Sequence, residues 1–216
     1  MCSYIRFLIV SLAAQFCLAY ANRTLAEETL PDDVVLLRDV RYRDGPNRQW
    51  ALDLAMPKAA SARPRAAIAV IHGGGWIEGD KSSFSRVADR PPGNVIDFAR
   101  LGFVAITINY RLSIEAPFPA ALHDCKCAVR WLRANAEKYN VDREAIGVWG
   151  NSAGGHLALL LGMVTKEDGL EGDGPYSNES SSVQAVVSDR PARAPKRRNC
   201  RIYERYVLAG ETQEQV

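Results

Sequence analysis

The chain of 216 residues is long enough for one substantial hydrophobic core, and its 47% apolar and 24% charged residues are typical of a globular protein. We therefore expect one domain rather than two. The 27 basic residues are nearly balanced by 25 acidic residues, which leaves a formal net charge of +2. Because so small a charge creates no extended electrostatic field, we expect no nucleic-acid partner and no attraction to an acidic membrane surface.

The first 21 residues have the pattern of a signal peptide. Met1–Arg6 form a short positively charged segment, Phe7–Tyr20 an apolar stretch, and Ala19-Tyr20-Ala21 a cleavage site with small residues at its ends. The alternative is a membrane anchor, but about 14 residues at about 1.5 Å each cover only about 21 Å of a hydrocarbon core of about 30 Å. We therefore expect cleavage after Ala21, a secreted or periplasmic protein, and no stable membrane anchor.

Three cysteines would remain after this cleavage, namely Cys125, Cys127 and Cys200, and no two of them form a C-x-x-C pair. An odd number at these spacings predicts neither a disulfide framework nor a zinc site. Cys125 and Cys127 lie on a predicted helix and are interpreted as small core-filling residues. We expect no metal and no cofactor.

The next part of the chain predicts a hairpin followed by a central strand. Val34–Tyr42 and Arg48–Met56 are β-rich runs separated by the turn residues 44–47, which predicts an antiparallel pair. Residues 58–65 are rich in Ala, Ser, Pro and basic residues, as in a surface loop. Ala66–Ile71 is a continuous apolar run, which predicts a strand buried on both faces.

Alternating strands and helices follow. After a short helical stripe from Val95, the run Phe103–Ile108 predicts a second buried strand, Ile146–Trp149 a third and Val183–Val187 a fourth. Ala153–Val164 predicts a helix. Another helix, with its charges facing water, is predicted from apolar positions spaced by three and four residues, namely Leu122, Cys125, Val129, Leu132 and Ala136. This order predicts the α/β class, with a mostly parallel sheet and helices on both faces.

Residues 34–188 are therefore the predicted domain, and residues 189–216 differ in character. Arg190–Arg201 contains six basic residues and two prolines without a periodic apolar stripe. A basic patch for nucleic acid is one interpretation. Since no aromatic residues interleave the charges, a solvated or disordered basic tail is favoured.

The first motif that carries chemistry is the G-x-S-x-G sequence from Gly150 to Gly154. It directly follows the predicted strand Ile146–Trp149 and directly precedes a predicted helix, which is the context of a nucleophile elbow. The turn is so tight that side chains at its two glycines would collide with the backbone. The motif predicts Ser152 as a nucleophile.

The second motif is His72-Gly73-Gly74-Gly75-Trp76, immediately after the first central strand. A glycine loop can turn successive N–H groups toward one point, as an oxyanion hole requires. Gly74 and Gly75, together with the N–H of Ala153, are the predicted donors, and His72 and Gly73 are predicted to support the loop. The alternative is a phosphate loop, but the chain has neither G-x-x-x-x-G-K-[ST] nor G-x-G-x-x-G here.

With these motifs the sequence resembles the esterase/lipase branch of the α/β-hydrolases, which includes hormone-sensitive-lipase-like and feruloyl-esterase-like carboxylesterases. The resemblance covers residues 34–187. It rests on matching segments at 72–76, 109–112, 117–120, 124–126, 129–135 and 150–156. It implies a fold of eight strands, of which this sequence offers six, so that the last strands are missing. It also implies a triad acid and then a triad histidine after the nucleophile.

The expected catalytic histidine is not found. The three histidines of the chain are His72, His123 and His156. His72 belongs to the predicted oxyanion loop, His123 to the start of a helix, and His156 lies about 6 Å along the axis of the elbow helix from Ser152, too rigidly tied to reach its hydroxyl. The candidate acids Asp168, Asp173 and Asp189 therefore have no histidine to orient.

The resemblance implies a secreted carboxylic ester hydrolase that acts on a small-molecule or polysaccharide-linked ester. Without its histidine the chain is expected to be inactive, since disabling such a triad costs about 10⁴- to 10⁶-fold in turnover. A truncated or frameshifted gene model would explain the departure after Val187. The alternatives are a non-catalytic protein that binds an acyl or sugar ligand, and a chain that does not fold stably.

Overall fold

The computed structural model describes residues 29–88 and 90–191. The predicted signal peptide and residues 192–216 of the predicted tail lie outside the described residues. The described strands are β1 (Val34–Arg41), β2 (Ala51–Pro57), β3 (Arg65–Ile71), β4 (Val104–Ile108), β5 (Val141–Asn151) and β6 (Ala185–Asp189). The α-helices are α1 (Val95–Arg100), α2 (Ala120–Ala134), α3 (Ala136–Tyr139) and α4 (Ala153–Met163), and 3₁₀ helices span Lys81–Phe84 and Lys166–Asp168.

The six strands form one sheet in the spatial order β1-β2-β4-β3-β5-β6. Strand β2 pairs antiparallel with β1 and with β4, whereas β3 pairs parallel with β4 and β5, and β5 pairs parallel with β6. The predicted hairpin and the mostly parallel sheet are confirmed. Because β3 and β5 run side by side in parallel, the loops that follow them lie close together at the carboxyl end of the strands.

Helices cover both faces of the sheet. One face, with Ala69, Ile106 and Val148, belongs to the main apolar core together with buried residues of α2 and α4. Helix α1 contacts β2 and β4 and buries Val95, Ile96 and Ala99, which lie outside that core. Cys125 and Cys127 are free and buried, as predicted. Within the described part of the chain, no helix is long and apolar enough to cross a membrane.

The prediction of a fourth strand buried on both faces is wrong. Strand β6 begins at Ala185 rather than Val183, and Val186 and Val187 are 38% and 53% exposed. It pairs with β5 on one side, and among the described residues no strand pairs with its other side. Its apolar run therefore reflects a strand at the edge of the described sheet, where few neighbours cover the side chains.

The prediction that the charges of helix α2 face water is also wrong. Asp124, Lys126, Arg130 and Arg133 are all buried. The segment 165–184, between α4 and β6, packs over this side of the helix and supplies acceptors for the cations. Polar partners thus replace the water that an isolated amphipathic helix would need.

Candidate active site

Ser152 lies between the end of strand β5 and the first residue of helix α4. Its backbone angles, φ 51° and ψ −120°, are unusual for a residue with a side chain, and such a conformation costs about 1–3 kcal/mol. Its N–H donates to the carbonyl of Asp189 at 2.9 Å, and its carbonyl accepts from the N–H of His156 at 3.1 Å. These bonds hold the serine at the tip of a sharp strand-to-helix turn.

The two glycines of the motif allow this turn because the backbone passes very close to them. A Cβ on Gly154 would lie 2.1 Å from the carbonyl oxygen of Ile71 and 2.5 Å from that of His72. A Cβ on Gly150 would lie 2.2 Å from the carbonyl oxygen of Gly154. The elbow is therefore packed directly against the end of strand β3, and neither position has room for a side chain.

The glycine loop after β3 runs beside the elbow. A Cβ on Gly73 would lie 3.1 Å from the Cβ of Ser152. Gly74 and Gly75 both have positive φ, of 108° and 59°, and Trp76 follows at 63°. The carbonyl of Gly74 accepts from the next turn of the loop, whereas within the described residues the N–H groups of Gly74 and Gly75 have no acceptor.

Ala153 supplies the third predicted donor. It is the first residue of α4, and the first N–H groups of a helix have no intrahelical acceptor. The partial positive charge of a helix N-terminus favours a negative oxygen there. The structure thus brings Gly74, Gly75 and Ala153 to the same end of the sheet as Ser152, with N–H groups that have no acceptor within residues 29–88 and 90–191.

His72 is buried beneath this loop. Its ring stacks on Tyr110 with centroids 4.4 Å apart, and its Nδ1 lies 2.7 Å from the carbonyl oxygen of Gly73. A carbonyl only accepts, so Nδ1 carries the proton. Burial lowers the pKa of His72, which keeps the ring neutral at pH 7. The residue therefore contacts the loop backbone, and no hydrogen bond links it to Ser152 within the described structure.

Sequence reasoning assigned no role to Asn109 and Tyr110, which follow strand β4. The hydroxyl of Tyr110 donates to the carbonyl of His72 at 3.0 Å and lies 3.4 Å from that of Gly73. Asn109 accepts from the N–H of Lys81 at 2.6 Å and donates to Asp80 at 2.8 Å. The sequence did contain a signal for them, because both are polar and directly follow a buried parallel strand. The carboxyl ends of such strands meet at the end of the sheet where functional sites lie.

Asp80 closes the far end of the glycine loop. Burial by itself would raise the pKa of its carboxyl, but hydrogen bonds from Asn109 and Ser82 outweigh burial and lower it to about 2. The ionised carboxylate caps the 3₁₀ helix that begins at Lys81. The loop is thus anchored by side chains at both of its ends.

Neither of the other histidines meets Ser152 in the described structure. His156 is buried against the edge of Trp76, with ring centroids 5.3 Å apart, and neither of its nitrogens has a partner among the described residues. Burial lowers the pKa of His156. His123 lies on α2, where a Cβ on Gly172 would be 2.6 Å from its ring. Burial also lowers the pKa of His123, and the positive charge of Arg111 adds to that effect.

The candidate acids lie in three different environments. Asp189 is next to the elbow, but its side chain pairs with the adjacent Arg190 at 3.3 Å. Asp173 pairs with Arg43 at 3.8 Å, and Asp168 accepts from the N–H of Thr165 at the start of a 3₁₀ helix. Across residues 29–88 and 90–191, no group of three or more His, Cys, Asp or Glu side chains could hold a metal ion.

Comparison with protein families gives a match of the same region. A family model described as BD-FAE matches residues 52–192, which is more than half of the chain. The match contains the glycine loop, the elbow and the strands that carry them.

Curated relatives are esterases and a deacetylase. Esterase LipC of Mycobacterium tuberculosis is 31% identical over 150 residues, which are 69% of this chain and 35% of the relative. Arylacetamide deacetylase of Oryctolagus cuniculus is 36% identical over 141 residues, which are 63% of this chain and 33% of the relative. The chain therefore spans about a third of the length of these relatives.

Solved structures with the same fold are α/β-hydrolase esterases. A truncated form of a carbohydrate esterase from gut microbiota aligns with a TM-score of 0.60 and 34% identity, over 76% of this chain and 57% of that one. Thermogutta terrifontis esterase 2 phosphorylated by paraoxon aligns with a TM-score of 0.57 and 28% identity, over 76% of this chain and 58% of that one. The predicted α/β-hydrolase fold is confirmed.

Proposed function

The chain belongs to the BD-FAE family of α/β-hydrolase esterases, and on that premise we propose that it carries the nucleophile and the oxyanion hole of a serine carboxylic ester hydrolase. Ser152 is the nucleophile. The N–H groups of Gly74, Gly75 and Ala153 bind the oxyanion, His72 and Gly73 support the loop, and Gly150 and Gly154 allow the elbow. The observation that carries the proposal is the positive φ of Ser152 on a turn packed directly against the glycine loop.

The proposed reaction has two steps. The hydroxyl oxygen of Ser152 attacks the ester carbonyl, a base takes the hydroxyl proton, and the carbonyl oxygen becomes an oxyanion that accepts from the three N–H groups. Collapse of this intermediate expels the alcohol, which takes up the proton and leaves an acyl-enzyme. Water then attacks the acyl group in the same way, and the carboxylic acid leaves from the serine.

We propose that these 216 residues alone turn over esters poorly. Each of the three histidines is engaged elsewhere or unpartnered, and none forms a hydrogen bond with Ser152 in the described structure. A serine hydroxyl without a base is a weak nucleophile, and loss of a triad member lowers turnover by about 10⁴- to 10⁶-fold. The base therefore comes from outside this set of histidines.

The substrate class and the location of the protein are also proposals. The names of the relatives, a carbohydrate esterase and an arylacetamide deacetylase, support either a polysaccharide-linked or a small-molecule ester. The signal-peptide pattern of residues 1–21 supports export with cleavage after Ala21. The mature chain would then act in a secreted or periplasmic setting.

A second candidate function is a non-catalytic protein that binds an acyl or sugar ligand in the former active-site crevice. The observation that favours it is the absence of a histidine bonded to Ser152 in the described structure. The intact elbow and oxyanion loop favour the hydrolase, because a binding site needs neither a strained serine nor unengaged N–H groups.

Hydrolysis of a chromogenic short-chain ester by the purified chain, beside Ser152→Ala, tests the proposal. We expect equal rates from the two proteins, because the base is lacking. Turnover of about 10 s⁻¹ that requires Ser152 would be an ordinary enzyme rate and would refute the proposal that this chain is inactive. Soluble, cooperatively unfolding protein that never reacts at Ser152 would favour the binding function.

Reaction with paraoxon tests the nucleophile without requiring turnover. Serine oxygen would attack phosphorus, imidazole added as an external base would take the serine proton, and p-nitrophenolate would leave without needing an acid catalyst. The phosphoryl oxygen would occupy the oxyanion hole, as we infer from the esterase of Thermogutta terrifontis that paraoxon phosphorylates. The rate of p-nitrophenolate release then reports the competence of Ser152 and its loop.

A further inference from the structure

The carbonyl of Gly73 fixes the direction of the next N–H group. A peptide unit is planar and trans, so the C=O of one residue and the N–H of the following residue point in opposite directions. The carbonyl of Gly73 is turned toward the interior, where it accepts from Nδ1–H of His72 at 2.7 Å. The N–H of Gly74 is therefore directed away from the imidazole of His72. Ser152 lies beside this part of the loop, since a Cβ on Gly73 would be 3.1 Å from the Cβ of the serine.

The imidazole that holds this carbonyl is itself held by Tyr110 and closely approached by Gly79. Tyr110 stacks on one face at an interplanar angle of 17°. Gly79 lies so close that a Cβ there would be 2.4 Å from Nδ1 of His72 and 2.6 Å from the carbonyl oxygen of Gly73. Nε2 of His72 has no partner among the described residues. Exchange of the proton to Nε2 would lose the bond to Gly73 and gain none.

Tyr110 joins these restraints. It is fully buried, its hydroxyl donates to the carbonyl of His72 at 3.0 Å, and it approaches that of Gly73 at 3.4 Å. One side chain thus fixes two successive peptide planes of the loop and the ring that braces them. Its neighbour Asn109 anchors the opposite end of the loop through Lys81 and Asp80.

We propose that Tyr110 is a positioning residue of the oxyanion hole: by fixing the carbonyl groups of His72 and Gly73, it keeps the Gly73 carbonyl in reach of Nδ1–H of His72 and directs the N–H of Gly74 toward the oxyanion. It touches neither the substrate nor Ser152. This inference deepens the proposed function and rests on it for its catalytic consequence. The orientation of His72 can be tested separately, whatever the chain hydrolyses.

The matched variants are Tyr110→Phe and Tyr42→Phe in the full chain. Both remove a buried hydroxyl that donates to a backbone carbonyl, since Tyr42 donates to the carbonyl of Asn109 at 2.8 Å. Both keep an aromatic ring in the core. Only Tyr110→Phe releases the carbonyl groups of His72 and Gly73. Cooperative urea unfolding of each variant establishes that it is folded.

The first readout is the tautomer of His72, measured from imidazole ¹⁵N chemical shifts at pH 7. We expect a single Nδ1–H tautomer in the unaltered chain and in Tyr42→Phe, and both tautomers in Tyr110→Phe. This readout does not depend on reaction at Ser152. If the unaltered chain never reacts with paraoxon, the proposed function fails. The tautomer measurement then still shows whether Tyr110 positions His72.

The second readout is imidazole-assisted reaction with paraoxon, followed to saturation. Removing one oxyanion donor lowers the rate about 10²- to 10³-fold. In Tyr110→Phe the donor is present but misdirected, so we expect the limiting rate to fall about tenfold. The half-saturating paraoxon concentration should change by less than about twofold, because ground-state binding does not use the oxyanion hole. A Tyr110→Phe chain with a single Nδ1–H tautomer, or with the limiting rate of Tyr42→Phe, would overturn the proposal.

A second pair of variants keeps the test independent of the folding of Tyr110→Phe. The amide nitrogen of Asn can take the place of Nδ1 of histidine, whereas that of Gln reaches the place of Nε2. His72→Asn should therefore react with paraoxon about tenfold faster than His72→Gln, because only Asn can donate to Gly73. Equal limiting rates in these two variants would contradict the role given to the Nδ1 donor.

Discussion

Ser152 keeps its strained backbone because its surroundings leave it no alternative. Such a conformation costs about 1–3 kcal/mol. The N–H bond to Asp189 ties the serine to β6, and the close approach of Gly154 to Ile71 ties the first turn of α4 to β3. The backbone position of the serine is therefore set by contacts with two separate strands.

Gly154→Ala tests this arrangement. Its methyl group would meet the backbone at 2.1 Å, and a backbone contact cannot move aside as a flexible side chain can. Overpacking costs about 1–3 kcal/mol, and we expect the free energy of unfolding to fall by at least the upper value of that range. We also expect Ser152 to react more slowly. Urea unfolding measures the first effect and paraoxon the second.

The control for that substitution is Gly147→Ala in the strand that leads to the elbow. Gly147 has no positive φ, and its nearest contact to a new Cβ would be an ordinary 3.6 Å. Such a substitution should leave the stability unchanged or raise it by up to about 1 kcal/mol. Equal stabilities of the two variants would show that the elbow is not constrained as described.

At the level of single residues, the sequence predicted the features that depend only on neighbouring residues in the chain. Ser152 and its two glycines were found because a motif, a preceding apolar run and a following helix are adjacent in the chain. The contact of Tyr110 with the glycine loop was not predicted, since it joins residues 38 positions apart. Its position after a buried strand places Tyr110 near the functional end of the sheet, but it does not distinguish a tyrosine that braces a loop from one that fills a core.

At the scale of elements, helix α2 is held by a polar contact surface with the segment 165–184. Lys126 is 1% exposed and pairs with Glu171, which also pairs with Arg130 at 3.2 Å and accepts from Ser181 at 2.8 Å. Burial alone would raise the pKa of Glu171, but the bonds from Lys126 and Ser181 outweigh it and lower the pKa. One carboxylate thus serves two buried cations.

Glu171→Ala should destabilise the chain strongly. Removing one partner of a buried ion pair costs about 3–5 kcal/mol, and we expect the lower end because Glu171 is partly exposed. Urea unfolding measures the loss. A double variant with Lys126→Met should recover part of it, because only Arg130, which also donates to the backbone carbonyl of residue 171 at 2.9 Å, is then left without the carboxylate.

The control is Asp33→Ala, which breaks the pair of Asp33 with Arg100 at 3.3 Å. Their side chains are 61% and 50% exposed, so the loss should be below about 1 kcal/mol. A loss of that small size in Glu171→Ala would instead indicate that segment 165–184 does not bury the cations.

The periodicity of apolar residues predicted which elements form but not which of their side chains are buried. The spacing of apolar residues predicted helix α2, because that pattern follows from 3.6 residues per turn. It could not reveal that a later segment covers the charged side. For β6, an apolar run predicted a strand but not its exposure, since exposure depends on which neighbours a strand has in the sheet.

At the scale of the whole molecule, stability should depend on pH through its histidines. Burial lowers the pKa of His72, His156 and His123 below the usual value, so the folded chain binds fewer protons than the unfolded chain. Their neutral forms therefore favour the fold above about pH 6.5, and this contribution is lost as the pH falls through the folded-state pKa values.

We accordingly expect the free energy of unfolding to fall between pH 7.5 and pH 5.5. The slope can reach about 1.4 kcal/mol per pH unit for each histidine that is neutral only in the folded chain. Asp80 and Glu171 contribute little in this window, since their lowered pKa values act at lower pH. Urea unfolding at the two pH values measures the slope, which His156→Gln should reduce. A flat profile would contradict the burial of the histidines.

We propose that Ser152 is a nucleophile poised beside an oxyanion hole, and this claim can be tested by locating the phosphoryl group after reaction with paraoxon and imidazole. Peptide mass spectrometry of the full chain should find one phosphoryl group, on Ser152, and none in Ser152→Ala. A phosphoryl group on another residue, or equal labelling of the two proteins, would contradict the claim.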